Sequence, residues 1–334
     1  MPHARLTSLD AVKGIGIIAV ICIHAAPPTQ EAPPVAWQIF NQVCRFAVPV
    51  FFIIAGFLFM GAWQREASRG LLLRRYAVRL LKLFFFWALF FAVIPPYVSG
   101  APQGNWPALL LHLELILRHP HSFLISGFVY HLWFLSSLLQ GIGLVWLCLR
   151  FWNARGALLV GGVLYAVALL GASYAGMRAG FHVHFDMKSG PFTSTLWVAL
   201  GVWLASRRKF SLAAGLFLTS AGLACHLAEA LWLRHEFLRP LAQNDFLIGT
   251  IPYAVGLVWL ALARPSYGRM LAGIGAGSLG MYALHVYVIE CLRRLPLEGT
   301  RLCAPWFFAG GVFMITWVVV LLLARVRWLR PFLR

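Results

Sequence analysis

Uncharged apolar runs, each long enough to cross a bilayer and separated by short basic clusters, constrain this chain more than anything else in it. A hydrocarbon core of about 30 Å takes about 20 consecutive apolar residues in a helix. Such runs fall at 9–26, 37–61, 80–99, 129–149, 156–174, 191–205, 211–233, 246–263, 270–290 and 304–324. Only 11% of the 334 residues are charged and the mean hydropathy is +0.79, whereas a soluble domain carries about a quarter charged residues. The solvent for most of this chain is therefore lipid. The expected fold is an all-α integral membrane protein with about ten transmembrane helices in one bundle, residues 1–334 forming a single membrane domain. The apolar stretch Trp106–Leu117 is too short to span and is expected as an interfacial helix.

The net charge of +18 does not point to nucleic acid, because the cations sit between apolar runs, as they do in cytoplasmic loops. If the N-terminus is cytoplasmic, eighteen of the 28 Lys and Arg residues lie inside and eight outside, while Lys13 and Arg45 fall within spans. The positive-inside rule then places both termini in the cytoplasm. Asp10 and Lys13 interrupt the first apolar stretch, which argues against a cleaved secretory signal. Cys22, Cys44, Cys148, Cys225, Cys291 and Cys303 form no CxxC pair and are expected to pack as small apolar residues.

Function must come from the polar groups inside the spans, where an ionisable side chain is costly and faces a bundle interior or a cavity. These are Asp10, Lys13, His24, Arg45, Glu229, His285 and Glu290. Lys13 and His24 are eleven positions apart, so they lie within about 20° of one helix face and about 16 Å apart along it. Asp10, three residues before Lys13, is placed to pair with it. From spacing alone, Asp10 and Lys13 are equally well membrane-border charges and His24 a core histidine. Glu229 reads as an interfacial charge. Arg45 needs an anionic or carbonyl partner: it either orients a substrate and stabilises oxyanion charge, or pairs structurally with Asp10 or Glu290.

Five segments share a resemblance. Ser8-Leu9-Asp10-Ala11-Val12-Lys13-Gly14 running on to His24 resembles the opening of the acyltransferase family 3 membrane proteins, whose signature is a basic residue, ten others and then histidine. Lys13 stands where most members have arginine. Arg45-Phe46-Ala47-Val48-Pro49-Val50-Phe51-Phe52-Ile53-Ile54-Ala55-Gly56-Phe57-Leu58 is similar to the family's second-span motif, with Ala55 where serine is usual. Arg74-Arg75-Tyr76-Ala77-Val78-Arg79 resembles its basic start to the third span, and His131-Leu132-Trp133-Phe134-Leu135 its fourth-span opening. Ser278-Leu279-Gly280-Met281-Tyr282-Ala283-Leu284-His285 resembles its late Ser-Leu-Gly-x-Tyr-x-x-His segment. Together they cover nearly the whole chain, in order.

The resemblance implies transfer of an acyl group, commonly acetyl from acetyl-CoA, to a hydroxyl of a carbohydrate or lipid-linked glycan in the cell envelope, in a bacterial cytoplasmic membrane. His24 is then the general base, or itself accepts the acyl group in a covalent intermediate. CoA is anionic and cytoplasmic, and Lys13, Arg75 and Arg79 are the expected donor contacts; Lys82 continues the Arg75 and Arg79 face. Those arginines also satisfy the positive-inside rule without any ligand. Asp10, His131, Trp133, Tyr282 and His285 are expected on the acceptor side, with hydrogen-bonded helix contacts as the alternative reading of Ser278 and its neighbours. The pantetheine arm is expected to thread along the Lys13 to His24 face past Gly14 and Ile17. No metal is expected; His182, His184 and Asp186 alternate in a loop without a fourth ligand. Besides CoA, glycan and membrane lipid, a homo-oligomer is compatible with the sequence. A different class, a polytopic exporter or transporter of a glycan or small anion, predicts broken helices in matched halves of the chain.

Overall fold

Local signals set the helix starts. In the computed structural model, which describes residues 6–25, 33–94, 110, 113, 114, 116–297 and 300–334, all described regular structure is helical. Helix α1 is Thr7–His24. Helix α2, Val35–Val43, runs through a 3-10 turn at Cys44–Phe46 into α3, Ala47–Trp63. Helix α4, Arg69–Val93, begins eleven residues before the apolar run at 80–99 because Ser68 caps it, its hydroxyl accepting from the Leu71 N–H. The basic residues at 69–82 therefore lie on a helix rather than in a loop. Then come α5 (Pro120–Ser126), a 3-10 turn at Tyr130–Leu132, α6 (Trp133–Phe151) and α7 (Ala154–Gly171), the last capped by Asn153. Proline opens α8 (Pro191–Ala205), where its missing N–H costs nothing, and Ser211 caps α9 (Leu212–Phe237). The chain ends with α10 (Thr250–Ala263), α11 (Arg269–Ala276), α12 (Ser278–Leu292), α13 (Pro305–Leu323) and a short α14 (Arg330–Leu333).

Seven helical segments are long and apolar enough to cross a membrane: α1, the interrupted Val35–Trp63, α4, the segment Tyr130–Phe151, α7, α9 and α13. The run at 270–290 is not one helix. It divides at Gly277 into α11 and α12, bent by 66°, and counts as a span only if the pair is taken together. The runs at 191–205 and 246–263 form the shorter apolar helices α8 and α10, of 15 and 14 residues. The run at 246–263 starts late because Asp245 to Gly249 fold as a loop. The expected interfacial helix at 106–117 lies mostly outside the described residues.

Small residues let the helix backbones approach closely, as packing without a hydrophobic driving force requires. Gly14 of α1 faces Gly275 of α11: a Cβ on either would run into the backbone of the other helix, at the Leu271 carbonyl or the Asp10 carbonyl. Gly56 of α3 and Gly201 of α8 are interlocked in the same way. The six cysteines are free, and only Cys44 and Cys148 are fully buried; Cys225 and Cys291 are exposed, so the packing role expected of all six fits them poorly.

Candidate active site

The last residue of α1 is His24, and three other elements converge on it. The Tyr130 hydroxyl lies 3.4 Å from His24 Nδ1. The His285 ring of α12 is 5.3 Å from that of His24, centroid to centroid, and the His131 ring is 5.4 Å from His285. Tyr282, one turn before His285, donates its hydroxyl to the His131 carbonyl. Residues far apart in sequence thus form one polar cluster, with His131 and His285 almost completely buried at 2% and 0% exposure.

Backbone partners fix two of the tautomers. His285 Nδ1 lies 2.6 Å from the Tyr282 carbonyl and His131 Nε2 lies 3.1 Å from the Ala283 carbonyl. A carbonyl only accepts, so each of these nitrogens carries the hydrogen in the neutral ring. The other nitrogens, His285 Nε2 and His131 Nδ1, are buried acceptors with no partner among the described residues. The cluster therefore presents imidazole lone pairs.

Next to the cluster is a cavity of about 140 Å³ lined by Val20, His24, Val48, Phe51, His131, Trp133, Phe134, Ser278, Leu279 and Tyr282. Its walls are mostly aliphatic and aromatic, and its polar atoms belong to the histidines, Tyr282 and Ser278. It is large enough for a slender acyl arm. Phe52 and Phe134, with ring centroids 4.6 Å apart, make Trp133 and its neighbours a rigid aromatic wall.

Arg45 sits in the 3-10 turn that interrupts Val35–Trp63, and its partner is neither Asp10 nor Glu290. Its Nη1 donates to Asp245, and its Nη2 donates to the Ala242 carbonyl at 2.7 Å. Asp245 also accepts from Lys188 Nζ at 2.9 Å, whereas Glu290 pairs with Arg293 at 2.8 Å. Burial would raise the Asp245 carboxyl, but the charges of Arg45 and Lys188 hold it below the usual carboxylate range. Burial would likewise lower the Lys188 ammonium, and Asp245 instead raises it. With both terminal nitrogens engaged, Arg45 positions the 240–249 loop beside the cluster, and its charge, with those of Lys188 and Arg293, is felt at His24.

The expected donor contacts fall into two cavities at the other end of α1. Lys13 Nζ pairs with Asp10 at 2.5 Å in a cavity of about 440 Å³ that Arg65, Gln64 and Gly61 also line. Arg75 and Arg79 line a separate cavity of about 770 Å³ together with Arg74, Lys82 and Arg334. Arg75 pairs with Glu66. The expected passage past Gly14 and Ile17 is closed: Gly14 is pressed against α11 and Ile17 is fully buried in the core.

A family profile described as an acyltransferase domain matches residues 6–324. The chain belongs to acyltransferase family 3. It is 26% identical over 301 residues to a protein named serine/alanine racemase from Enterococcus gallinarum, covering 84% of this chain and 40% of that protein. Two Enterococcus faecalis proteins named amino-acid racemase match at 22% over 210 residues and 26% over 179 residues, covering 28% and 24% of their lengths. The chain thus spans two fifths or less of the curated relatives it matches. No solved structure matches it.

Three groups in this acyltransferase family 3 protein escape a reading confined to charges inside spans. Asp245 lies just outside one, and Tyr130 carries no charge at neutral pH. His226 is completely buried between the Thr250 hydroxyl at 2.9 Å and the Gln42 carbonyl at 3.0 Å; its place within an apolar run was the signal available. Glu229 is not an interfacial charge: its carboxylate accepts from the Ile248 and Gly249 N–H groups, both at 2.8 Å, and so caps the approach to α10, while Tyr174 donates to it as well. His182, His184 and Asp186 are exposed, and among the described residues no group of three such side chains is arranged to hold a metal.

Proposed function

We propose that this membrane acyltransferase moves an acetyl group from acetyl-CoA, reached from the cytoplasm, to a hydroxyl of a carbohydrate or lipid-linked glycan, in a bacterial cytoplasmic membrane. The observation that carries the reading is the convergence of His24, Tyr130, His131, Tyr282 and His285 at one end of the apolar cavity. His24 removes the acceptor hydroxyl proton as the oxygen attacks the thioester carbonyl; the C–S bond breaks, and the imidazolium returns that proton to the departing thiolate. Tyr130 orients the His24 ring. The lone pairs of His131 and His285 accept hydrogen bonds from substrate N–H or O–H groups. The acyl-pantetheine arm enters beside Ser278, at the break between α11 and α12. Its nucleotide end lies among Arg74, Arg75, Arg79 and Lys82, whose cavity is larger and more cationic than that of Lys13. Purified protein incubated with radiolabelled acetyl-CoA and candidate glycans should move label to glycan; retention of all label on CoA across a panel of envelope glycans would count against the reading.

The helix broken at Gly277 gives one specific support to a second reading, movement of a glycan or small anion through the bundle. Uptake into sealed proteoliposomes without acetyl-CoA would favour it, and label transfer in detergent would not.

A further inference from the structure

The ends of α3, α4 and α6 enclose a polar recess remote from the histidine cluster and from the Arg75 and Arg79 cavity. It measures about 470 Å³ and is lined by Trp63, Arg69, Gly70, Trp146, Leu149 and Arg150. Two cations face it. The Arg69 guanidinium lies 4.7 Å over the Trp63 ring and donates to the Glu66 carbonyl at 2.6 Å. The Trp146 indole donates to the Arg69 carbonyl at 2.9 Å, which locks the end of α6 to the start of α4. Arg150 lies over the Phe151 ring at 5.7 Å. Among the described residues no carboxylate pairs with Arg69 or Arg150, and the nearby Glu66 carboxylate is engaged by Arg75. The recess therefore holds two guanidinium charges, one fixed by an indole and a carbonyl, with no protein counter-ion.

Its surroundings are those of an amphiphile rather than of a soluble anion. Leu147, Phe151 and Trp152 next to it are 44%, 71% and 68% exposed, on the outside of a bundle whose solvent is lipid. Two tryptophans frame it, at the ends of spans where indoles sit at headgroup depth. A ligand that satisfies both the charge and the apolar rim carries a phosphate and acyl chains.

We propose that this recess binds one anionic glycerophospholipid, its phosphate between Arg69 and Arg150 and its chains over Leu147 and Phe151. Native mass spectrometry of the full chain released from mixed phosphatidylglycerol and phosphatidylcholine micelles tests this. Phosphatidylglycerol should be retained at about one per chain with at least tenfold preference, and excess inorganic phosphate should not displace it. The Arg69→Gln, Arg150→Gln double variant should lose that preference, whereas Arg69→Lys with Arg150→Lys, or Arg208→Gln elsewhere on the surface, should keep most of it; circular dichroism and gel filtration check that each is folded. Equal retention of the two lipids, unchanged preference in the folded double glutamine variant, or displacement by inorganic phosphate would each overturn the proposal.

Discussion

A single imidazole decides the chemistry. Replacing His24 with Ala should lower acetyl transfer by about 10² to 10⁴-fold, the usual worth of a positioned general base, while helical content in detergent stays unchanged. A variant within tenfold of the parent rate would show that the proton leaves by another path. Tyr130→Phe removes the hydroxyl 3.4 Å from His24 Nδ1 and should lower kcat by about tenfold with the KM for acetyl-CoA unchanged; a rise in KM alone would make Tyr130 a donor contact instead. His24, His131 and His285 were legible in the sequence because histidine in an apolar run is costly unless used. Their mutual contact, and the role of Tyr130, were not, because both arise from segments more than a hundred residues apart.

Each element owes its position to a few polar or small residues. The Arg45, Asp245 and Lys188 cluster ties the turn between α2 and α3 to the loop before α10. Removing its anion leaves two cations facing each other, and Asp245→Asn should cost about 2 kcal/mol or more, read as a lower melting temperature in detergent. The pH dependence has a definite sign. The folded carboxyl lies below its ordinary value, so its contribution is complete above about pH 4 and is lost as the pH falls through the lower folded value. The melting-temperature gap between parent and variant should hold from pH 5 to 8 and close toward pH 3; a constant gap down to pH 3 would mean that the carboxylate charge is not what stabilises the loop. Gly275→Val presses a branched side chain into the α1 backbone and should sharply reduce folded yield, whereas Gly273→Val, with open space at its Cβ, should not. Helices are written plainly in this sequence as apolar runs, but where they stop is set by tertiary contact. Arg69 to Lys82 look like a loop until Ser68 is seen to cap them, and Gly277 breaks a run of unbroken hydropathy because α11 must turn aside to pack on Gly14.

For the whole molecule, orientation follows from the charge count. Cysteines introduced at 182 to 188 should be labelled by a membrane-impermeant reagent from outside and those at 207 to 209 only after permeabilisation; the reverse pattern would move the donor to the other face. The number of apolar runs was legible because lipid imposes a length. The division of charge between structure and chemistry was not, since a paired arginine and a ligand-binding arginine are spelt alike. The two short helices have a consequence for the bilayer itself. Helices α8 and α10, at 15 and 14 residues, reach only about 22 and 21 Å, against a hydrocarbon thickness of about 30 Å. Most of the side chains of α8 are enclosed by neighbouring helices, so lipid need not thin to meet them. The shortfall is taken up inside the protein, as aqueous vestibules dipping toward each other from both surfaces. The insulating layer through the middle of this bundle is thus about a quarter thinner than the membrane around it, and an acyl group crossing there has that much less hydrocarbon to traverse.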